Sequence, residues 1–270
     1  MCRPTHFRVA YEINPWMRLS RQVARSRAQR QWQRLYQALT RAAGAAVRLL
    51  PPLRQQPDLV FTANAGLVSG RTLIRSNFRY PERQGEEPHI ERWFRRRGFR
   101  VRALPRQLRF EGEGDALWLG DRLIFGYHFR SDVQAHRAIG RILRREVLSL
   151  ELSDPKFYHL DTCFCPLTPA SAMYYPGAFD RYARTVLARC VPDPVIVSRD
   201  EALRFVCNAV PVGQTLIVPQ GLAARTRRAL RDRGWRLIAV DCSEFMKAGG
   251  AAKCLVLRLS GNAPLGSRPR

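Results

Sequence analysis

Short apolar runs built around one polar or reactive residue recur along the chain: DLVFTAN, QLRFE, KFYHLD, RFVCN and AAKCLVL. Their markers, Asn64, Glu111, His159, Asn208 and Cys254, follow one another at steps of 47, 48, 49 and 46 residues. A step that constant points to an internal structural repeat. Read as strands, the runs place their polar markers at strand ends.

The stretches between the markers share one order of elements. After Asn64 come Gly66, the apolar pair Leu73 and Ile74, a helix from Glu86 to Arg97 stopped by Gly98, and the strand FRVRAL. After Glu111 come a glycine turn, the strands LWLG and RLIFGY, and a helix from Ser131 to Glu146 with Ser131 as its cap. After His159 the order returns as CFCPLTPASAMYY, a helix from Phe179 to Arg189 and VPDPVIV; after Asn208 it returns as QTLIVP, a helix from Leu222 to Arg233, Gly234 and WRLIAV. A fifth unit is assembled from both ends, a strand after Cys254 and a long helix from Arg18 to Ala43, so that the termini meet. Five such units around an axis bring five strand ends to one central cleft. An ordinary open α/β sheet accommodates the same elements, so the chemistry of the markers has to decide.

With 270 residues and 46% hydrophobic composition the chain can bury a sizeable core, as one large domain or two small ones by length alone. The formal charge of +24 comes from 46 basic and 22 acidic residues, and Lys156, Lys247 and Lys253 are the sole lysines. Such a charge suits phosphate neutralisation. The arginines, however, are spread along the chain without a zinc-finger, RNA-recognition or helix-turn-helix signature, so nucleic acid is not the expected partner. Clusters at Arg95, Arg96 and Arg97 and at Arg225, Arg227 and Arg228 read as solvated helix faces.

Seven cysteines, with Cys163 and Cys165 the one close pair, support neither a disulfide framework nor a zinc site. The segment MCRPTHFRVAYEINPWM has no signal-peptide core, and no run reaches the length of a membrane span. The expected setting is a reducing cytoplasm, with free thiols.

His159 and Asp161, two apart on a strand, face the same side. A buried carboxylate needs a partner, and a guanidinium supplies paired donors. FEGEGDAL concentrates Glu111, Glu113 and Asp115 among glycines without the pattern of a calcium hand. Cys254 follows Gly249 and Gly250, and Lys253 beside it lowers the thiol pKa if it points the same way. Each of these residues alone is more often structural. Together a thiol, an imidazole and a carboxylate at repeat-equivalent places make a nucleophilic set.

The motifs FTAN at 61–64, FEGEGDAL at 110–117, FYHLDTCF at 157–164 and SEFMKAGGAAKCL at 243–255 resemble, in order and over nearly the whole chain, the guanidino-modifying superfamily of arginine deiminases, dimethylarginine dimethylaminohydrolases, amidinotransferases and arginine dihydrolases. The resemblance implies a five-bladed α/β propeller (pentein) of pseudo-fivefold ββαβ repeats, formed by residues 1–270 as a single domain, with no metal or cofactor. It implies that Cys254 attacks the guanidino carbon to give a thiouronium intermediate, that His159 protonates the leaving amine and then activates water, and that Glu111 and Asp161 hold the guanidinium. Glu113 is the alternative carboxylate, because Glu-Gly-Glu-Gly-Asp is one residue longer than the Glu-Gly-Gly-Asp of deiminases. Arg83 and Arg130 match positions that meet the substrate's α-carboxylate. Asn64, where deiminases carry aspartate, and Asn14 in INPWM resemble the arginine dihydrolases.

The expected activity is hydrolysis of arginine or an N-substituted arginine to ornithine or citrulline, with release of ammonia or an alkylamine. Transfer of the amidino group to an amine, and non-catalytic binding of nucleic acid, are the alternatives. The expected partner is a small guanidino compound, membranes are not, and assembly into a homo-oligomer is left open.

Overall fold

In the computed structural model, which describes residues 1–260, each repeat opens on a tight hairpin. β1 (Gly66–Ser69) pairs antiparallel with β2 (Thr72–Arg75), and β4 (Ala116–Leu119) with β5 (Arg122–Tyr127). β7 (Phe164–Thr168) pairs likewise with β8 (Ser171–Tyr174), and β10 (Val210–Val212) with β11 (Thr215–Pro219). Three of these turns carry Gly70, Gly120 and Gly213 at φ of 53°, 64° and 54°, the left-handed conformation that two-residue hairpin turns demand.

A helix then returns the chain so that a third strand joins parallel to the second. After the short α2 (Pro81–Gln84), α3 (Glu87–Arg95) leads to β3 (Arg100–Ala103), α4 (Val133–Leu143) to β6 (Val147–Glu151), α5 (Arg181–Cys190) to β9 (Asp193–Ile196) and α7 (Ala224–Asp232) to β12 (Arg236–Val240). The result, among the described residues, is four separate three-stranded sheets, each a ββαβ unit. The middle of the second strand of each unit is buried and apolar, as in Leu123–Phe125 of β5, while α4 turns Ala135 and Ile139 onto it. The arginines Arg95, Arg96, Arg97, Arg225, Arg227 and Arg228 are exposed on the outside, as the solvated-face reading expects.

The fifth unit is built from both ends of the chain. Cys2 and Leu50 form a parallel bridge, α1 (Arg25–Gln37) lies between them in sequence, and Leu257 packs with both. α1 also buries Gln31 against α8 (Ser243–Met246), where Gln31 accepts from the Glu244 N–H. The expected helix from Arg18 to Ala43 is shorter than foreseen: it begins at Arg25 and ends in a π turn, Ala38–Ala42.

Three further expectations need correction. The marker runs are not strands but single turns: Asn64 N bonds Phe61 O, Gly114 N bonds Glu111 O, Thr162 N bonds His159 O and Asn208 N bonds Phe205 O, with α6 (Arg199–Leu203) just before the last. A chain that must reach the axis and leave again within a few residues closes i→i+3 bonds more readily than it extends. No strand follows Cys254 among the described residues; a turn does. Ser131 does not cap α4, which starts after Asp132; its hydroxyl donates to Asp115 at 2.6 Å and accepts from Glu111 N at 3.1 Å.

Close approach of these turns depends on Gly112, at φ 60°, where a Cβ would lie 2.6 Å from Ala63 O and 2.7 Å from Gly66 N. Gly112→Ala is expected to destabilise the protein by about 2–4 kcal/mol through strain and overpacking. Gly44→Ala, at φ 71° with nothing within 4 Å of the added carbon, should cost about 1 kcal/mol. Chemical denaturation of the two variants measures the difference, and equal losses would contradict the close-approach account.

Candidate active site

The turns meet in a ring of hydrogen bonds, each joining one repeat to the next. Asn64 Nδ2 donates to Glu111 O at 3.3 Å, His159 Nε2 meets Glu111 Oε2 at 2.9 Å, and Asn208 Nδ2 donates to Asp161 O at 2.9 Å. Cys254 N donates to Asn208 Oδ1 at 3.1 Å, and Ala63 N closes the circle on Cys254 O at 3.0 Å. Glu111, His159, Asp161 and Cys254 thus come together, at most 3% exposed.

Burial alone would push the Glu111 carboxyl up, but the Arg130 guanidinium at 2.9 Å and the hydrogen bond to His159 outweigh it and hold the group well below the usual carboxylate range. An ionised acceptor assigns the proton to Nε2 of His159 and leaves Nδ1 free for proton transfer. Arg79 N donates to the other oxygen, Oε1, at 3.2 Å. Arg130 is itself fixed between the rings of Tyr80 and Tyr158, each centroid 4.7 Å from its guanidinium carbon. Neither Arg83 nor Arg130 is surface: both are 3% exposed.

Glu113 has a different task. It accepts from Lys253 Nζ at 2.9 Å and from Arg258 N at 3.1 Å, which leaves Glu111 as the carboxylate that meets His159. The same contact corrects the expectation for Lys253, whose ammonium turns to Glu113 and Val256 O rather than towards the thiol. Cys254 Sγ donates to Asp161 Oδ2 at 3.2 Å, and burial first, then the Asp161 charge, push the thiol well above its ordinary value. Asp161 is pushed up to about 6 by burial, against the pull of Lys253 and Cys254, and its Oδ1 has no partner.

A narrow, largely enclosed cavity opens onto Cys254 and His159, with Asn14, Asn64, Arg83 and Arg130 in its wall. Arg83 donates to Asn64 Oδ1 at 2.8 Å and forms a forked pair with Glu86 at 2.7 and 2.9 Å. Asn14 shapes its own loop, accepting from Trp16 N at 2.9 Å and donating to Ala248 O at 3.1 Å. Two residues missed in the sequence belong here. Asp58, the first letter of DLVFTAN, is buried in the wall with one carboxylate oxygen unpartnered, and burial raises its pKa. Asn208, the fourth marker, touches Cys254 Sγ at 3.1 Å; its place in the repeat was the signal. Among the described residues no cluster of three His, Cys, Asp or Glu could hold a metal, and no helix is long and apolar enough to cross a membrane.

Residues 5–260 match the family model of eukaryotic N,N dimethylarginine dimethylhydrolase. The bifunctional arginine dihydrolase/ornithine cyclodeaminase ArgZ of Synechocystis sp. is 46% identical over 266 residues, which is 96% of this chain but 37% of that protein, so the chain spans little over a third of that relative. N(G),N(G)-dimethylarginine dimethylaminohydrolase of Mycobacterium tuberculosis is 40% identical over 262 residues, 96% of this chain and 84% of that protein. The crystal structure of the substrate-bound N-terminal domain of ArgZ, a cyanobacterial arginine dihydrolase, superposes with a TM-score of 0.93 at 43% identity, covering 97% of each chain.

The buried Asp161 carboxylate, with one oxygen bare, carries a stability signature. Its carboxyl ionises near 3.8 when unfolded and about 6 when folded, so stability falls as pH rises through that window, by about 2–3 kcal/mol. Asp161→Asn should therefore gain that much stability relative to the parent between pH 3.5 and pH 8, read from denaturation midpoints. A gain that does not change with pH would contradict the assignment.

Proposed function

The chain belongs to the N,N-dimethylarginine dimethylhydrolase family, and we propose that it is a cysteine-dependent hydrolase of the arginine dihydrolase type, working as a single guanidino-modifying domain. The observation that carries this reading is the meeting, at one largely enclosed cavity, of a thiol and an imidazole with one nitrogen held by an ionised glutamate, the thiol resting against a carboxylate with a bare oxygen.

A guanidinium placed between Asp161 and Glu111 gains the bidentate partner that Asp161 Oδ1 lacks, and its positive charge makes the raised thiol easier to ionise. The thiol proton passes to the free Nδ1 of His159 as Cys254 Sγ bonds to the guanidino carbon, and a terminal C–N bond breaks as His159 gives that proton to departing ammonia. His159 next takes a proton from water, whose oxygen bonds to the thiouronium carbon while the C–S bond breaks, restoring the thiolate. Two rounds carry arginine and two waters to ornithine, carbon dioxide and two ammonia.

Arg83 and Arg130 supply fixed positive charge for the α-carboxylate of an amino-acid substrate, and the bare Asp58 oxygen a place for its α-ammonium. Asn64 and Asn14 complete the wall around the substrate's stem. Asn64 in place of a carboxylate, with the 46% identity to ArgZ, favours arginine over methylated arginines; the 40% identity to the mycobacterial dimethylaminohydrolase supports methylarginine as the second reading. Cytoplasm is the compartment we assign, since the nucleophile must stay reduced.

Incubation with arginine, methylated arginines and agmatine, with products identified by mass spectrometry, tests the proposal. The expected products from arginine are ornithine and ammonia in a ratio of one to two; citrulline alone, an alkylamine, or a need for an amine acceptor would each assign another member. Cys254→Ala should lower kcat by about 10⁴-fold or more while leaving arginine affinity within about tenfold. Undiminished turnover in that variant rejects the mechanism.

A further inference from the structure

Asn208 is fully buried and all four hydrogen-bonding positions of its side chain are used. Its Oδ1 accepts from Ala251 N at 3.2 Å and Cys254 N at 3.1 Å, while its Nδ2 lies 2.9 Å from Asp161 O and 3.1 Å from Cys254 Sγ. The orientation of the amide is settled by chemistry: turned over, its NH2 group would face two backbone N–H donors. The backbone is equally fixed. Asn208 N donates to Phe205 O at 2.9 Å, its carbonyl accepts from Lys253 N at 3.0 Å, and buried Phe205 holds φ 59°, a left-handed conformation disfavoured for any residue with a Cβ.

We infer that Asn208 is the side chain that stabilises Cys254 as a thiolate, its Nδ2–H donating to Sγ more strongly once the sulfur is charged. This rests on Cys254 being the nucleophile. In the thiol form Sγ donates to Asp161 Oδ2 and accepts from Asn208. When the proton leaves, the bond to Asp161 becomes a contact between two anions, whereas the bond from Asn208 becomes charge-assisted and about twice as strong. Lys253, the neighbouring cation in sequence, is committed to Glu113 and Val256 O. Asn208 therefore favours one protonation state of the sulfur over the other, and it also sets where the sulfur sits, because the same amide holds the Cys254 N–H.

The test is the pH dependence of Cys254 alkylation by iodoacetamide, followed on the Cys254 peptide by mass spectrometry. It compares the wild-type chain with Asn208→Ala and with Asn208→Asp, which keeps the shape and the acceptor oxygen but removes the donor. Both variants should move the midpoint up by about one pH unit or more and lower kcat roughly tenfold or more, with KM within about threefold. An unchanged midpoint in a folded variant would mean that Asn208 only ties down the loop, and would overturn the inference. Where neither variant folds, the wild type decides: the side-chain amide protons of Asn208 should shift in NMR spectra with the midpoint of the thiol, and signals that do not move overturn it. Alkylation needs no substrate, so the result is separable from failure of the hydrolase reading, which shows as turnover surviving Cys254→Ala.

Discussion

Keeping charged groups dry is the constraint on which this molecule depends. Several carboxylates and two guanidinium groups sit at or near the axis with almost no exposure, where an unpaired ion costs several kcal/mol. The fold meets that constraint by pairing: Glu111 with Arg130 and His159, Glu113 with Lys253, Glu86 with Arg83, and Asp115 with Ser131 and the Leu160 N–H. Asp161 and Asp58 each retain a bare oxygen. In the proposed function those two gaps are where a cationic substrate would supply what the protein withholds, linking binding energy and the cost of folding at the same atoms.

Where the pairs join different repeats, as in Glu111–His159, Glu113–Lys253 and Asp115–Leu160, the groups must be placed within tenths of an ångström, and the short turns hold them there. Each turn spans a few residues, is tied by an i→i+3 bond, and is linked to the next repeat through a side chain or a backbone amide. Glycine at the crowded places permits the approach: a Cβ on Gly114 would meet Asn64 Nδ2 at 2.4 Å, and one on Gly250 would meet the Phe61 ring at 2.5 Å. The sheets and outer helices around this ring are ordinary amphipathic elements. Their task is to hold it rigid.

Within the ring the acid-base roles separate by environment. Glu111 stays ionised because its cationic neighbours outweigh burial, whereas Asp161 and Asp115, with weaker partners, are pushed up to about 6. One carboxylate thereby holds the imidazole, and in the proposed reaction another meets the substrate's charge. The thiol is raised by burial and by Asp161, and in the proposed reaction the substrate's positive charge favours its ionisation.

Much of this was legible in the chain because it rests on periodicity and residue type. The marker steps gave the repeat, the glycine stops and amphipathic spacing placed α3, α4, α5 and α7 to within a few residues, and RLIFGY is β5 end to end. Motif resemblance supplied Cys254, His159, Glu111 and Asp161. What the chain could not show was direction. A single turn has no period to tell which way a side chain points, so the choice of Glu111 over Glu113, the turning of Lys253 to Glu113, the release of Ser131 from capping, and the contact of Asn208 with Cys254 were decided by neighbours distant in sequence. Sequence spacing determines which residues reach the axis; the pairing of buried charge, a property of three-dimensional neighbours alone, determines what each one does there.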